Sequence, residues 1–357
     1  MKEKVLSIGF VLFLWLIFIF NILMPDSEIS KSERRKLEQF PKITKNNILN
    51  KSFMEDFDSY TLDQFLLRDY FRQIKAKVNY NVFKKLDNNN IYLYKEHVFK
   101  SEYPTNRKSI EAFINKINYI GNYLTPKNNV YYSIIPDKNY YVDSGKYLNI
   151  DYDFLYKRIQ KINYNYIELR DVLSLDDYYK TDTHWKQEKL CKVVNRLGEF
   201  LDFSTECNYE KKQFDKFYGV YYGQSALNLK PDTLTCLINK YILNSTVYYL
   251  ENDKYNEVYI EQNLNNLDSY DVFLSGASSY IEITNKLNNS GKELVIFRDS
   301  FSSSLAPLLI EHYSKITLID TRYINSKSYL KKINFDNQDV LFLYSTLLIN
   351  NSYTLKN

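Results

Sequence analysis

The sequence predicts an α/β domain, a mostly parallel sheet covered by helices on both faces, carried behind an N-terminal transmembrane helix. Three observations lead there. Short apolar runs such as Leu294-Val-Ile-Phe297, Ile316-Thr-Leu-Ile319 and Val340-Leu-Phe-Leu343 are continuous rather than alternating, as strands buried on both faces are. Stretches with helical apolar spacing lie between several of them, which argues for crossover connections and parallel pairing. Finally, Val5 to Met24 is an uncharged, almost wholly apolar run of twenty residues, long enough to span a bilayer as a helix.

Size and composition narrow the functional classes. At 357 residues the chain can bury one large core, or a core with a small appendage. Lys and Arg number 47 against 43 Asp and Glu, and the small excess is spread along the chain, which gives no case for nucleic acid as a partner. The 35 tyrosines suit a sugar-facing cleft, since the ring is apolar and the hydroxyl wet. Cys191, Cys207 and Cys236 are too few and too irregularly spaced for a disulfide framework or a zinc site. One bridge could form outside the cell, but Cys191 on a helical stretch reads as a small buried hydrophobe. With three scattered histidines and no phosphate-binding glycine loop, neither metal nor cofactor is expected.

Taken in order, residues 1–24 form a cytoplasmic stub and anchor. Met24-Pro25-Asp26-Ser27 is a poor cleavage site, so an uncleaved single-pass helix is expected, with the body outside the cytoplasm. The cluster Arg34-Arg35-Lys36 beyond the span counts against that orientation. Residues 25–105 read as a stalk and helical lead-in. Pro41 interrupts the stalk, helical spacing runs from Phe53 to Lys85, and a hairpin follows over Ile91–Tyr94 and Val98–Phe99. Arg68 is expected to pair with Asp63 or Asp69. Residues 106–357 are the α/β domain. Its helices are expected near Ile110–Leu124, Tyr152–Ile162, Lys186–Phe200, Tyr280–Leu287 and Ser302–Tyr313. Its further strands are expected at Val130–Ile135, Tyr166–Leu169 and Val272–Leu274. Between about 204 and 266 the pattern loosens, and the segment reads as an insertion.

The chemistry concentrates in Tyr178-Tyr-Lys-Thr-Asp-Thr-His-Trp185. In an extended or turn conformation, Asp182 can accept a hydrogen bond from Nδ1 of His184 and leave Nε2 free as a base. The matching nucleophile is Ser300, at the carboxyl end of one predicted strand and the start of a predicted helix, where open α/β sheets build their sites. Position alone leaves two readings open: Asp299 or Ser300 as a helix cap, or Ser300 as a nucleophile near free backbone N–H groups. Gly276, in Phe273-Leu-Ser-Gly-Ala277, offers an N–H that could complete an oxyanion hole.

These residues resemble the bacterial DHHW proteins and, through them, the alginate O-acetyltransferases of the AlgX and AlgJ type, whose signature is Asp-Thr-His-Trp. Asp182-Thr-His-Trp185 matches the latter form outright. Further matching pieces are Ser32-Glu-Arg-Arg-Lys-Leu-Glu-Gln-Phe-Pro41, Asp63-Gln-Phe-Leu-Leu-Arg-Asp69, Ile135-Pro-Asp-Lys138, Phe217-Tyr-Gly219 and Arg298-Asp-Ser-Phe301. The resemblance implies an SGNH-hydrolase-like fold, permuted so that Asp-x-His precedes the serine. It also implies Ser300 as nucleophile, His184 as general base and acid, and Asp182 as its orienter. Gly276 and Arg298 would support the oxyanion, and Lys138, Trp185, Tyr218 and Tyr221 would face substrate. The implied partners are a polysaccharide acceptor, an acyl donor and a membrane-bound O-acyltransferase that supplies it. The family often carries Lys before Asp-Ser, where this chain has Arg298, and an Asn beside the glycine, where it has Ala277. The competing reading is an inactive module that binds envelope glycan through segments around Tyr131, Tyr140 and Tyr221.

Overall fold

The structure, a computed structural model, describes residues 2–143, 145–330 and 332–355. It comprises two compact units, Met1–Asn89 with Tyr222–Leu229, and Asn90–Tyr221 with Lys230–Asn357.

In the first unit, helix Lys2–Leu23 has no buried residue and is long and apolar enough to cross a membrane. The helical spacing expected over 53–85 becomes helix Ser52–Asp63, a break, helix Arg68–Lys77 and a π-helical turn Val78–Val82. The break ends at Leu67, whose backbone is left-handed, φ 58°. Asp63, at the end of the first helix, accepts both guanidinium nitrogens of Arg35 (2.5 and 2.7 Å) and the N–H of Glu38 (2.9 Å). Arg68 lies 3.4 Å from both Asp63 and Asp69, the expected partners, and also binds Glu33.

The second unit is built on an eight-stranded sheet: β1 (Asn129–Ile135), β2 (Asn165–Tyr166), β3 (Ser245–Tyr249), β4 (Lys254–Asn256), β5 (Tyr280–Asn285), β6 (Glu293–Arg298), β7 (Lys315–Ile319) and β8 (Asp339–Ser345), in the order β4-β3-β5-β7-β6-β8-β1-β2. The pairings β7/β6, β6/β8, β8/β1 and β1/β2 are parallel, while β4, β3 and β5 extend one side antiparallel. Central strands are apolar throughout because both faces are covered. Leu294, Ile296, Leu341 and Leu343 pack on one face with Val193, Leu197, Leu305 and Leu309, from helices Cys191–Leu201 and Ser302–Leu309. Val295, Phe297, Val340 and Phe342 pack on the other with Ile110, Ile117, Leu155 and Ile159, from helices Arg107–Gly121 and Tyr152–Ile159.

Three expectations need correction. Tyr280–Leu287 is not a helix: Ile281 and Ile283 are buried while Glu282 and Thr284 are not, a period of two that belongs to strand β5. Val272–Leu274 is not a strand; a 3₁₀ turn, Ser269–Val272, leads into left-handed backbone at Leu274 and Ser275, with φ of 53° and 56°. Cys191 is not a lone buried hydrophobe but forms a disulfide with Cys207. The stretch between 204 and 266 contributes β3 and β4 to the sheet, together with an antiparallel pair, Glu210–Phe217 with Asp232–Ile238.

Candidate active site

The Asp182 segment is a tight loop rather than a strand. Tyr178 and Trp185 pair across its base, where the Tyr179 N–H donates to the His184 carbonyl at 3.1 Å. The loop is fastened from three sides. The Asp232 carboxylate receives the N–H groups of Lys180 and Thr181 (2.9 and 2.8 Å) and the Thr181 hydroxyl (2.6 Å). Lys138 Nζ donates to the carbonyls of Tyr179, Lys180 and Asp182 at 3.1, 3.3 and 2.7 Å. Gly219 passes so close that a Cβ there would come within 2.4 Å of the Asp182 Cβ and the Thr181 carbonyl. Only glycine fits without moving the loop.

This scaffold aims the acidic and basic groups at one another. Asp182 Oδ1 lies 2.6 Å from His184 Nδ1 and also accepts the His184 backbone N–H at 2.9 Å. The second carboxylate oxygen accepts the Val220 N–H at 2.8 Å. Burial alone would raise the Asp182 carboxyl, but the adjoining imidazole and these hydrogen bonds outweigh it and hold it far below the usual carboxylate range. On the far side of the ring, His184 Nε2 is 2.9 Å from Ser300 Oγ. The ring is clamped by Tyr270, stacked at 3.9 Å between centroids and 7° between planes, and by Phe301 at 4.8 Å. Tyr270 in turn donates its hydroxyl to Ser304 at 2.8 Å.

Ser300 follows β6 and precedes helix Ser302–Leu309. Asp299 and Ser300 engage different partners. Asp299 accepts the N–H of Phe301 at 3.1 Å and that of Ser345 at 2.7 Å, tying the helix start to the end of β8. The Ser300 hydroxyl is thereby left to His184. Buried Arg298 braces the turn, donating to the Ser303 hydroxyl at 2.7 Å and the Ser278 carbonyl at 3.3 Å. Burial lowers the Arg298 pKa, against the pull of the Asp320 and Asp299 carboxylates.

Asp182, His184 and Ser300 are thus brought together, the last two from 116 positions apart in the chain. Gly276 has a φ of +70°, and a Cβ there would meet the Asp271 carboxylate at 1.9 Å; its N–H makes a long, 3.4 Å bond to the Phe273 carbonyl. Three residues expected to face substrate are placed otherwise. Lys138 is 1% exposed, and its ammonium donates to the three loop carbonyls; burial pulls its pKa down to about 7, opposed by the Asp182, Asp232 and Asp137 carboxylates. Trp185 is fully buried and donates its indole N–H to the Phe301 carbonyl and the Ser304 hydroxyl, both at 3.0 Å. Tyr221 is buried beneath Lys138 and donates its hydroxyl to Thr183 at 3.3 Å. Tyr218, at 40% exposure, remains open to solvent. Sequence reasoning missed Asp232, Tyr270 and the bond from the Ser345 N–H to Asp299. Among the described residues, no group of three His, Cys, Asp or Glu side chains is placed to hold a metal.

No protein-family model and no curated protein matches the sequence. Solved structures do match the fold. A DHHW family protein from Eubacterium siraeum aligns with a TM-score of 0.61 at 19% identity, over 76% of this chain and 97% of that one. Bacillus cereus PatB1 bearing a sulfonyl adduct aligns with a TM-score of 0.57 at 16% identity, over 75% of this chain and 96% of that one. A second PatB1 structure gives 0.55 at 15% identity, over 76% and 98%. The chain therefore has an SGNH-hydrolase-like α/β fold, shared with a DHHW family protein and with PatB1.

Proposed function

We propose that this chain is a membrane-anchored, extracytoplasmic serine O-acyltransferase that moves an acyl group, most simply acetyl, onto a hydroxyl of a cell-surface polysaccharide. The observation that carries this reading is the 2.9 Å approach of Ser300 Oγ to His184 Nε2, with Asp182 2.6 Å behind the ring. His184 takes the Ser300 proton as Oγ attacks the acyl carbonyl. The tetrahedral oxyanion is received by backbone N–H groups, with Gly276 as one donor and Arg298 bracing the turn. Collapse expels the donor's leaving group, which takes the proton from His184, and leaves an acyl-serine. An acceptor hydroxyl then gives its proton to His184 and attacks the same carbonyl; the proton returns to Ser300 as the ester leaves. Water in place of the sugar gives the esterase version of these steps.

Asp182 stays ionised throughout, so its charge favours the imidazolium at both tetrahedral stages. Half-exposed Tyr218 is the remaining candidate among the four substrate-facing residues. A membrane-bound O-acyltransferase is the proposed source of the acyl group, on the strength of the family resemblance. PatB1, which shares the fold, takes a sulfonyl adduct, and labelling of this chain by a sulfonyl reagent gives a second test of Ser300.

The test is intact mass of the full chain in detergent micelles after exposure to an activated acetyl ester. One added acetyl group is expected on the unaltered protein and none on Ser300→Ala or His184→Ala. A folded protein that takes up no acetyl and turns over no ester, yet still binds glycan, would establish the binding module instead.

A further inference from the structure

We propose that Phe65, Leu67, Tyr70 and Phe71 form an apolar wedge in the headgroup–acyl boundary of the membrane, a second lipid contact beside the N-terminal helix. The proposal rests on reading Lys2–Leu23 as a membrane span. At about 1.5 Å per residue, those 22 residues cover slightly more than the roughly 30 Å of bilayer hydrocarbon. The last turn of the helix then stands at the membrane–water boundary.

That turn is where the wedge is attached. Asn21 Oδ1 accepts the N–H of Leu66 at 2.8 Å. Just beyond, Ser27 exchanges two hydrogen bonds with the Gln64 side chain, at 2.9 and 3.0 Å, and Tyr60 donates its hydroxyl to Asp26 at 3.0 Å. A backbone amide bonded to residue 21 shares its depth. Phe65 and Leu67 flank that amide, and successive Cα atoms are only about 3.8 Å apart.

The side chains at this depth are large, apolar and uncovered. Exposures are 41% for Phe65, 63% for Leu67, 59% for Tyr70 and 50% for Phe71. Phe65, Phe71 and Tyr70 form one patch, with centroid separations of 5.7 and 6.1 Å. Leu67 adopts a left-handed conformation, φ 58°, costly for leucine, and the Arg68 N–H closes the turn onto the Phe65 carbonyl at 3.0 Å. The same helix turns Arg68 and Arg72 onto Glu33, so these two charged side chains are engaged within the unit. An apolar patch continuous with a membrane span, with tyrosine at its margin, has the composition of an interfacial anchor.

The experiment uses tryptophan emission from the full chain in phosphatidylcholine vesicles. Only Trp15 and Trp185 are native tryptophans, and Trp185 is fully buried. Lipid brominated near the chain end should quench Trp15, which tests the span by itself. In a Trp15→Phe background, Phe65→Trp should lose about half its added emission in lipid brominated near the headgroup. Leu67→Trp repeats the measurement should the first variant fail to fold. Quenched Trp15 with both reporters unquenched would overturn the wedge and leave the span standing, the patch then being covered by protein. Unquenched Trp15 would overturn the span, and the wedge with it.

Discussion

Asp182 carries the sharpest expectation at the scale of single residues. Its carboxyl is held far below the ordinary carboxylate value, so it is the folded state that favours ionisation. The stabilisation is therefore fully present above the unfolded carboxylate pKa, about 4, and is lost as pH falls through the lowered folded value. Asp182→Asn removes the charge but keeps the shape. Ester turnover should fall about 10³- to 10⁴-fold, because an amide no longer fixes the imidazole tautomer. The stability gap between the unaltered protein and this variant, measured by denaturant titration, should narrow between pH 6 and pH 3. A gap constant over that range would mean that the pair contributes nothing through charge. The Asp-x-His spacing made this pair legible in sequence, because both partners lie within one short loop. Tyr270, stacked on the same imidazole, was not legible: it lies 86 positions from His184 in number and meets it only through the fold.

At the scale of elements, the loop carrying Asp182 and His184 is shaped by Lys138, in the 3₁₀ turn that follows β1. The family resemblance implied that this lysine faces substrate, and lysine is rarely buried. The structure instead gives its ammonium three carbonyl partners. Lys138→Met leaves those carbonyls without that donor, and unfolding free energy should fall by about 2 to 4 kcal/mol in denaturant titration, with slower acyl-enzyme formation. A raised KM at unchanged stability would restore the substrate-facing role. The same contrast explains which elements could be read. The cores of β6 and β8 are unbroken apolar runs and that of β7 is broken only by Thr317, a length and make-up that suit strands buried on both faces. β5 mixes Ile281 and Ile283 with Glu282 and Thr284, and over so few residues helix and strand periods are hard to separate. Its strand conformation follows from antiparallel pairing with β7 and β3, partners remote in sequence.

For the whole molecule, the open matter is which side of the membrane holds the proposed enzyme. The apolar helix is legible in sequence, but its orientation is not, since Arg34, Arg35 and Lys36 follow it on the side expected to be translocated. The Cys191–Cys207 disulfide supplies independent evidence, because such bonds persist in oxidising compartments and are rare where glutathione keeps thiols reduced. Sequence spacing did not reveal it: 16 positions separate the two cysteines, and the chain must turn back after helix Cys191–Leu201 for them to meet. If the body is extracytoplasmic, protein denatured from cells in the presence of an alkylating agent should be modified at Cys236 alone. After reduction, all three cysteines should react. Closing a loop of this length typically stabilises a fold by about 3 kcal/mol, so Cys191→Ser should lower the unfolding free energy by a similar amount. That loss should vanish when both proteins are measured under reductant. Alkylation of all three cysteines without reductant would remove this support and leave the body's compartment to be decided by protease access in protoplasts.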